Sequence, residues 1–494
     1  MPIVNREPIV DSKTHAIIMS GDVTFGRKRI YTEKEITEEN IKEILNDALS
    51  VHNQNVAEME LLIQYYLGNQ QILKRNTPYT SNVNNKIILN YAQSVVRDIV
   101  GYTFGKDIEY VQRKSELISE VEELTSILQY EDVSLTDIIT ATFASICGIG
   151  YQCTLPSDDF EDETPEIGIE IGHLDPRNTF VVHSYDFKNP VVLACNFYKT
   201  NTKTVYTLYD KIYRTKIVND EIVEYKPHGL KAIPITMFEN NHFLLGDFEP
   251  AITILDALNK IASDSVNDIE NFVQSLLVLV NCSLGDTDQE RKANKENIVK
   301  NRLIEIKSPQ GLQADAKYIT QQLDPQSTSS LREYLEESLW KIIGIPDRKT
   351  RGGGGGDTGD AVKLRDGWAD IEVVARNKEK YFRKSKKQQL TVALPLLKMA
   401  KKISEKLTVK DIDIKFSRNK SDNLITKTQA YSTLISTNTL DPVDALEIVD
   451  ITTNVNEVIN RGTQYNENKI KKEEAKEIEN KNKLNGNEGI TDDR

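Results

Sequence analysis

The chain has 494 residues, a mass of 56.1 kDa and a formal net charge of −13 at pH 7. This length exceeds what one hydrophobic core usually organises and predicts roughly three domains, while an apolar content of 39 % excludes a chain that is disordered throughout. The acidic balance argues against a protein that coats nucleic acid by neutralising phosphates, although it allows one past which nucleic acid slides.

The sequence carries no signal for a membrane or a metal. Its apolar runs fall well short of the roughly 20 residues that span a bilayer, and its first residues lack the basic-then-apolar pattern of a signal peptide. Four cysteines, Cys147, Cys153, Cys195 and Cys282, show no metal-ligand spacing, which suits a reducing compartment. We therefore expect a soluble intracellular protein that has no membrane contact, no metal and no cofactor.

The first half of the chain predicts helices followed by strands. Apolar residues spaced three and four apart predict helices over about 37–68, 84–101, 116–130 and 133–146. Runs of β-branched and aromatic residues separated by turn residues then predict strands up to about residue 238, the clearest at 179–183, 191–198, 205–209 and 212–218.

Residues 249–281 are predicted to form one helix, about 50 Å long. It has one apolar stripe, and its other faces carry five acids against one lysine. Few globular domains contain so long a helix, so we expect it to pack against other long helices or other copies of the chain. A small β insertion follows it, with strands at 301–307 and 316–320, and then a helix over 327–343 that Ile345 and Pro346 end.

The last third begins with five consecutive glycines and a second long helix from about Asp360, which Pro395 is expected to kink or end. A short strand at 411–416 and helices at 423–436 and 442–449 follow. The last of these helices is predicted to be capped by Asp441. Beyond about residue 466 the composition is polar, and we expect the last dozen residues to be disordered.

No motif in the sequence points strongly to a nucleotide, metal or catalytic site. The glycine run does not make a phosphate-binding loop, because Asp357 stands where that motif needs lysine. His173, Asp175 and His183 could supply metal ligands or an enzyme site, but they match no metalloprotease or nucleophile motif. Residues 376–402 hold ten Lys or Arg against one Glu. This basic block is either a solvated helix face that pairs with acids elsewhere or a surface for DNA or another anion.

Taken in order, several blocks resemble one family, the phage portal proteins of the SPP1 type. The match runs from about residue 35 to 465, although Asp107 stands where the family usually has proline. Each block is weak alone, but six in the family's order are specific. They are Tyr65-Tyr-Leu-Gly-Asn-Gln-Gln-Ile-Leu, Asn90-Tyr-Ala-Gln-Ser followed by Val100-Gly-Tyr-Thr-Phe-Gly, Leu174-Asp-Pro-Arg-Asn, Gly229-Leu-Lys-Ala-Ile-Pro with Gly246-Asp-Phe-Glu, Ser263-Asp-Ser-Val-Asn-Asp, and Gly359-Asp-Ala-Val-Lys-Leu.

The resemblance implies an α+β portal fold with an α/β wing, long stem helices, a small β clip and a helical crown. In this sequence the regions are expected at 1–248 (wing, first helical and then β-rich), 249–281 (first stem helix), 282–325 (clip), 326–343 (second stem helix), 344–360 (tunnel loop), 361–420 (long wing helix and short strand) and 421–494 (helical crown with a disordered C-terminal tail).

The resemblance also implies a role and a set of contacts. The chain would form a ring, a dodecamer, through which double-stranded DNA is packaged and ejected. Its partners would be the terminase large subunit, a head-completion or adaptor protein, and the major capsid and scaffolding proteins. It would lie at the capsid portal vertex of the virion, after assembly in the host cytoplasm, and it would have no catalytic site.

Three sets of residues are the candidates for this role. Asp264 and Asp268, one helical turn apart, are expected to face the channel or a neighbouring subunit. Glu305 and Lys307 are expected to lie in the clip docking surface. The tunnel loop supplies the remaining candidates, Asp347, Arg348, Lys349, Arg351, Gly352, Gly353, Gly354, Gly355, Gly356 and Asp357. The alternatives are an enzyme that uses His173, Asp175 and His183, and a helical scaffold that never meets DNA.

Overall fold

The computed structural model has a mixed α and β fold, as the sequence predicts. Its contacts divide the chain into two compact units. The first comprises Met1–Ile63, Val95–Glu249 and Gly344–Arg494, and the second comprises Gln64–Ser94 and Pro250–Ile343. The structure describes residues 26–75, 83–158, 161, 167–273, 276–280, 287–301, 315–319, 325–346, 368–418, 424–436, 440–449 and 455–485.

Four helices occupy the N-terminal part, as predicted: α1 Ile41–Leu67, α2 Tyr91–Phe104, α3 Ile118–Tyr130 and α4 Val133–Cys147. The prediction of helix from Asn84 is wrong, because residues 83–90 are extended and α2 begins only at Tyr91. The side chain of Asn90 accepts a hydrogen bond from the N–H of Gln93 in the first turn, as an N-cap does.

Six strands form the larger sheet of the first unit, in the order β1-β5-β6-β7-β8-β9. β1 runs parallel to β5, and the other pairs are antiparallel. Their bounds are β1 Ile30–Thr32, β5 Thr179–Ser184, β6 Val191–Lys199, β7 Thr204–Tyr209, β8 Tyr213–Val218 and β9 Glu221–Pro227. The four strands predicted most clearly are confirmed. One core joins the sheet to the apolar stripe of α1, in which Ile41, Ile44 and Leu45 are buried.

A second sheet of three strands, in the order β10-β3-β4, has the bounds β3 Ile149–Leu155, β4 Glu170–Leu174 and β10 Ile235–Glu239. A two-stranded sheet pairs β2 Ile108–Gln112 with β13 Ile412–Phe416. The short strand predicted at 411–416 is therefore confirmed. The long helix α8, Trp368–Met399, packs on β10 and β3.

Of the two effects expected of Pro395, ending α8 is wrong, because the helix continues to Met399; a kink at this position stays a prediction. Leu390, Leu394 and Leu397 are buried in one core that includes residues of α3 and β13. Burial of these leucines, which lie before and after Pro395 in the sequence, offsets the backbone hydrogen bond that proline cannot make.

The backbone turns sharply where α4 meets β3. Gly148 has φ +82°, and a Cβ atom there would lie 1.8 Å from the carbonyl oxygen of Leu244. Gly246 fits equally tightly, since its Cβ would lie 2.2 Å from the carbonyl oxygen of Ile146. Only glycine permits this approach of two backbones.

The prediction of one helix over 249–281 is wrong at both ends. A 3-10 turn, Glu249–Ala251, leads into α5, Ile252–Val273, and the chain then forms β11, Leu276–Val280. The run Leu276-Leu-Val-Leu-Val is an unbroken apolar stretch with two β-branched valines, which favours a strand over the three-and-four spacing of the preceding stripe. β11 pairs antiparallel with β12, Asp315–Ile319. β12 confirms the strand predicted at 316–320.

Two further helices belong to the described part of the second unit. Residues predicted only as a polar stretch form α6, Asp288–Asn301, and the helix predicted at 327–343 is α7, Pro325–Ile343. α7 packs on α5. The strand predicted at 301–307 lies outside the described residues, apart from its first residue, which ends α6.

Three helices lie at the C-terminal end: α9 Leu424–Ser436, α10 Pro442–Val449 and α11 Val455–Asn485. The predicted cap is confirmed, because the Asp441 carboxylate accepts a hydrogen bond of 2.8 Å from the N–H of Val443. The expected disordered tail is helical as far as Asn485, and residues 486–494 lie outside the described part of the chain.

Candidate functional site

The predicted site residues divide into those that the structure describes and those that it does not. Asp264 and Asp268 lie on α5. Glu305 and Lys307 lie outside the described residues, and so does the whole predicted tunnel-loop set at 347–357. The candidate site is therefore built from α5 and the segments of the second unit that pack on it.

α5 has two inward stripes. Leu255 and Leu258 are buried on the apolar stripe. Beside it runs a polar stripe of Asn259, Ser263 and Asn267, whose four-residue spacing places the three side chains on one face. All three are buried, so each side chain needs a hydrogen-bond partner.

Those partners are backbone groups of the extended segment 83–90. The N–H of Asn85 donates to Asn267 Oδ1 at 2.7 Å, that of Ile87 to Ser263 Oγ at 2.9 Å, and that of Leu89 to Asn259 Oδ1 at 2.7 Å. The bonded amides recur every second residue, as an extended chain requires. This contact replaces the helix predicted from Asn84.

Two contacts fix the first turns of α5. The hydroxyl of Tyr65 donates to both carboxylate oxygens of Asp256, at 2.8 and 3.0 Å. Burial raises the pKa of Asp256, while the hydrogen bond from Tyr65 lowers it, and the net direction is upward. Asn259 Nδ2 donates to Gln70 Oε1. The segment that follows α1 is therefore bound to the same helix as 83–90.

Asp264 and Asp268 lie on the partly exposed side of α5. Arg75 Nη2 lies 2.5 Å from Asp264 Oδ1, so this charge is paired within the chain. Partial burial raises the pKa of Asp268, and the neighbouring Asp264 raises it further against the opposing effect of Arg75. The two predicted residues share a face, but Asp264 already has a cation beside it, which the sequence prediction missed.

α7 completes the helix pair. Glu336 is buried and accepts hydrogen bonds of 2.9 Å from both Tyr91 and Arg332. The Tyr91 ring meets Trp340 edge to face at 5.7 Å. The outer side of α7 exposes three large apolar side chains, Leu331, Tyr334 and Ile342. This helix therefore has one face bound within the unit and one apolar face turned to solvent.

The basic block pairs with acids, as one of its two interpretations predicted, but at two positions the pairing is buried rather than solvated. Lys386 is fully buried on α8, with its Nζ 2.5 Å from Asp137 Oδ1. Lys378 Nζ lies 2.7 Å from Asp247 Oδ1, and both side chains are less than a tenth exposed. These two lysines are inaccessible to DNA.

A second charge cluster holds the start of α8. Glu372 accepts hydrogen bonds from Tyr102 Oη at 2.8 Å, Arg376 Nε at 2.9 Å and Arg418 Nε at 3.1 Å. Burial alone would raise the pKa of Glu372, but these three donors lower it to about 2. Arg418 also pairs with Glu379. The cluster joins α2, α8 and the segment after β13.

The enzyme alternative finds no assembled site. Asp175 is bound to Arg177, with Arg177 Nη2 2.6 Å from Asp175 Oδ2. His183 Nδ1 bonds to the carbonyl of Asn189 at 2.9 Å, and His183 and His173 lie in different sheets. Among the residues that the structure describes, no three His, Cys, Asp or Glu side chains are placed to hold a metal ion. No helix within the described ranges is apolar and long enough to cross a membrane.

Comparison with known proteins identifies the family. The family model "Phage portal protein, SPP1 Gp6-like" matches residues 45–483, which is most of the chain. The chain belongs to this portal protein family. It is also similar to the "Portal protein" of Bacillus phage SPP1, at 21 % identity over 334 residues, which is 61 % of this chain and 63 % of that protein. The match thus spans less than two thirds of the relative's length.

Membership bears on the interpretation of the site in two ways. Portal proteins are a structural rather than an enzymatic family, so membership gives no support to the enzyme alternative. The matched range also includes α5 and α7 and the segment 83–90 that binds α5.

Proposed function

We propose that copies of this chain form a closed ring, a dodecamer, at one capsid vertex, and that double-stranded DNA enters and leaves through its channel. The observation that carries the proposal is the family match over residues 45–483. In a cyclic assembly each copy meets two neighbours through different faces, so exposed apolar side chains suit such an assembly. The exposed apolar residues of α7, Leu331, Tyr334 and Ile342, offer one such surface.

We assign the channel-facing role to the exposed side of α5. An acidic wall repels phosphates and so lets DNA slide, whereas a basic wall would bind it. Asp268 is the better candidate of the two predicted acids, because Asp264 is already paired with Arg75. In this assignment α5 and α7 are the stem helices, and the clip begins at β11 rather than at residue 282.

We also propose contacts for the clip and for the tunnel loop. The terminase large subunit would dock on the clip, including Glu305 and Lys307, during packaging, and a head-completion or adaptor protein would dock there afterwards. A strand edge of the β11–β12 sheet suits pairing with a neighbouring copy. The loop that contains Gly352 to Gly356 would contact DNA, and major capsid and scaffolding proteins would surround the ring.

The experiment is DNA packaging by rings that carry Asp268→Lys. A lysine at a channel-facing position forms new phosphate contacts, so assembled rings should package DNA more slowly than the parent. Glu405→Lys, an equal charge change at an exposed residue of the first unit, is the matched control and should package normally. Equal rates in both variants would overturn the channel-facing assignment. Rings that never fill with DNA in any background would favour a scaffold role.

A second experiment tests the tunnel loop. Replacing the five glycines with alanine removes backbone freedom, so rings should assemble normally and package DNA poorly. Normal filling by such rings would refute the loop's role.

A further inference from the structure

Three regularly spaced hydrogen bonds join the extended segment 83–90 to α5. The acceptors, Asn259, Ser263 and Asn267, recur every four residues along the helix, and their donors recur every two residues in the opposite direction. Four residues of helix advance about 6.0 Å, and two residues of extended chain advance about 6.6 Å. Because the two repeats differ by only about 0.6 Å per step, an extended chain can follow one helical stripe for three bonds.

A helix bonded along one line cannot rotate freely about its axis. Turning α5 by one position, about 100°, would carry all three buried acceptors away from the backbone amides that they satisfy. Those amides would then lose these partners in a partly buried site, which is unfavourable. Asp264 and Asp268 each follow an acceptor by one position in the sequence. The stripe therefore also determines where these two carboxylates point.

We propose that Asn259, Ser263 and Asn267 are positioning residues that fix the rotation of α5 by binding the backbone of 83–90. Their effect on DNA is exerted only through Asp268, so that effect rests on the proposed role of the ring as a DNA channel. The positioning itself does not depend on that role. Nothing in the family match assigns these three side chains, and their effect is separable from the apolar packing of Leu255 and Leu258.

The first measurement is amide hydrogen exchange over 83–90 in full-length rings. Ser263→Ala with Asn267→Leu removes two acceptors, so exchange at Asn85 and Ile87 should become at least about tenfold faster. Ser263→Thr with Asn267→Asp keeps an acceptor oxygen at both sites and should restore slow exchange. Ser265→Ala is the matched control, because its hydroxyl donates a hydrogen bond within α5, to the carbonyl of Ile261.

The second measurement reports rotation. In an Asp268→Cys background, the rate of maleimide labelling at position 268 should change at least about twofold when the two acceptors are removed, because the side chain then projects in another direction. It should stay at the parental rate in the acceptor-keeping pair. Faster exchange with unchanged labelling would overturn the proposal, since 83–90 would then only cover the helix.

A single-residue variant serves where the double variant does not assemble, and the readouts separate the two proposed roles. If the double variant does not assemble, Ser263→Ala alone must still speed exchange at Ile87, and unchanged exchange there contradicts the proposal. If the ring is not a DNA channel, only the DNA packaging results would differ, and amide exchange and maleimide labelling would still change as predicted. Failure of the positioning role would appear in exchange or labelling, whatever the packaging result.

Discussion

Replacing Lys386 with methionine should destabilise the first unit strongly. Lys386 is fully buried, the Asp137 side chain is 6 % exposed, and the two form an ion pair of 2.5 Å. Methionine fills a similar volume but leaves the Asp137 carboxylate without its cation, which costs about 3–5 kcal/mol when a buried pair is broken. Burial raises the pKa of Asp137 and lowers that of Lys386, and in each case the partner's charge opposes this shift. Each residue therefore stabilises the charged form of the other.

The companion variant separates lost charge from lost packing. Gln152 Nε2 donates to Asp137 Oδ1 at 2.7 Å, and an asparagine at position 137 can keep that bond without a charge. Lys386→Met with Asp137→Asn should therefore recover most of the lost stability. The assay is urea denaturation followed by circular dichroism. A single variant as stable as the parent, or a double variant no better than the single, would refute this reasoning.

Three further predictions follow from the first unit. Glu372→Gln should lower stability at pH 7 by about 1–2 kcal/mol, discounted for solvent screening. Because its folded pKa is depressed to about 2, the parental advantage in thermal melts should vanish as pH falls from about 4.5 to 2. Gly148→Ala should abolish soluble expression, since its Cβ would meet the Leu244 carbonyl at 1.8 Å. Asp441→Ala should cost about 1 kcal/mol of local stability, measured as faster hydrogen exchange at the start of α10.

The sequence predicted the elements whose patterns are local. The stripe of α1, the strands at 179–218 and the cap at Asp441 are confirmed because each depends on neighbours within a few residues. The start of α2 was missed because the amides of Asn85, Ile87 and Leu89 bond to side chains more than 150 positions away. The only local sign of this contact was the four-residue spacing of polar residues on α5.

The candidate site was harder to predict than the fold. The sequence placed Asp264 and Asp268 on one helix face, which α5 confirms, but it could not show that Arg75 pairs with Asp264. Composition likewise marked residues 376–402 as a basic surface, although Lys378 and Lys386 are buried against Asp247 and Asp137. Charge counts record how many cations a helix has and say nothing of which face turns inward.

The most direct measurement is an image of the purified full-length protein by negative-stain electron microscopy, with its mass determined by light scattering. The proposed role predicts closed rings of twelve copies, with a central hole wide enough for duplex DNA. Monomers or open filaments at concentrations where the chain is folded, or rings whose centre is closed, would contradict it.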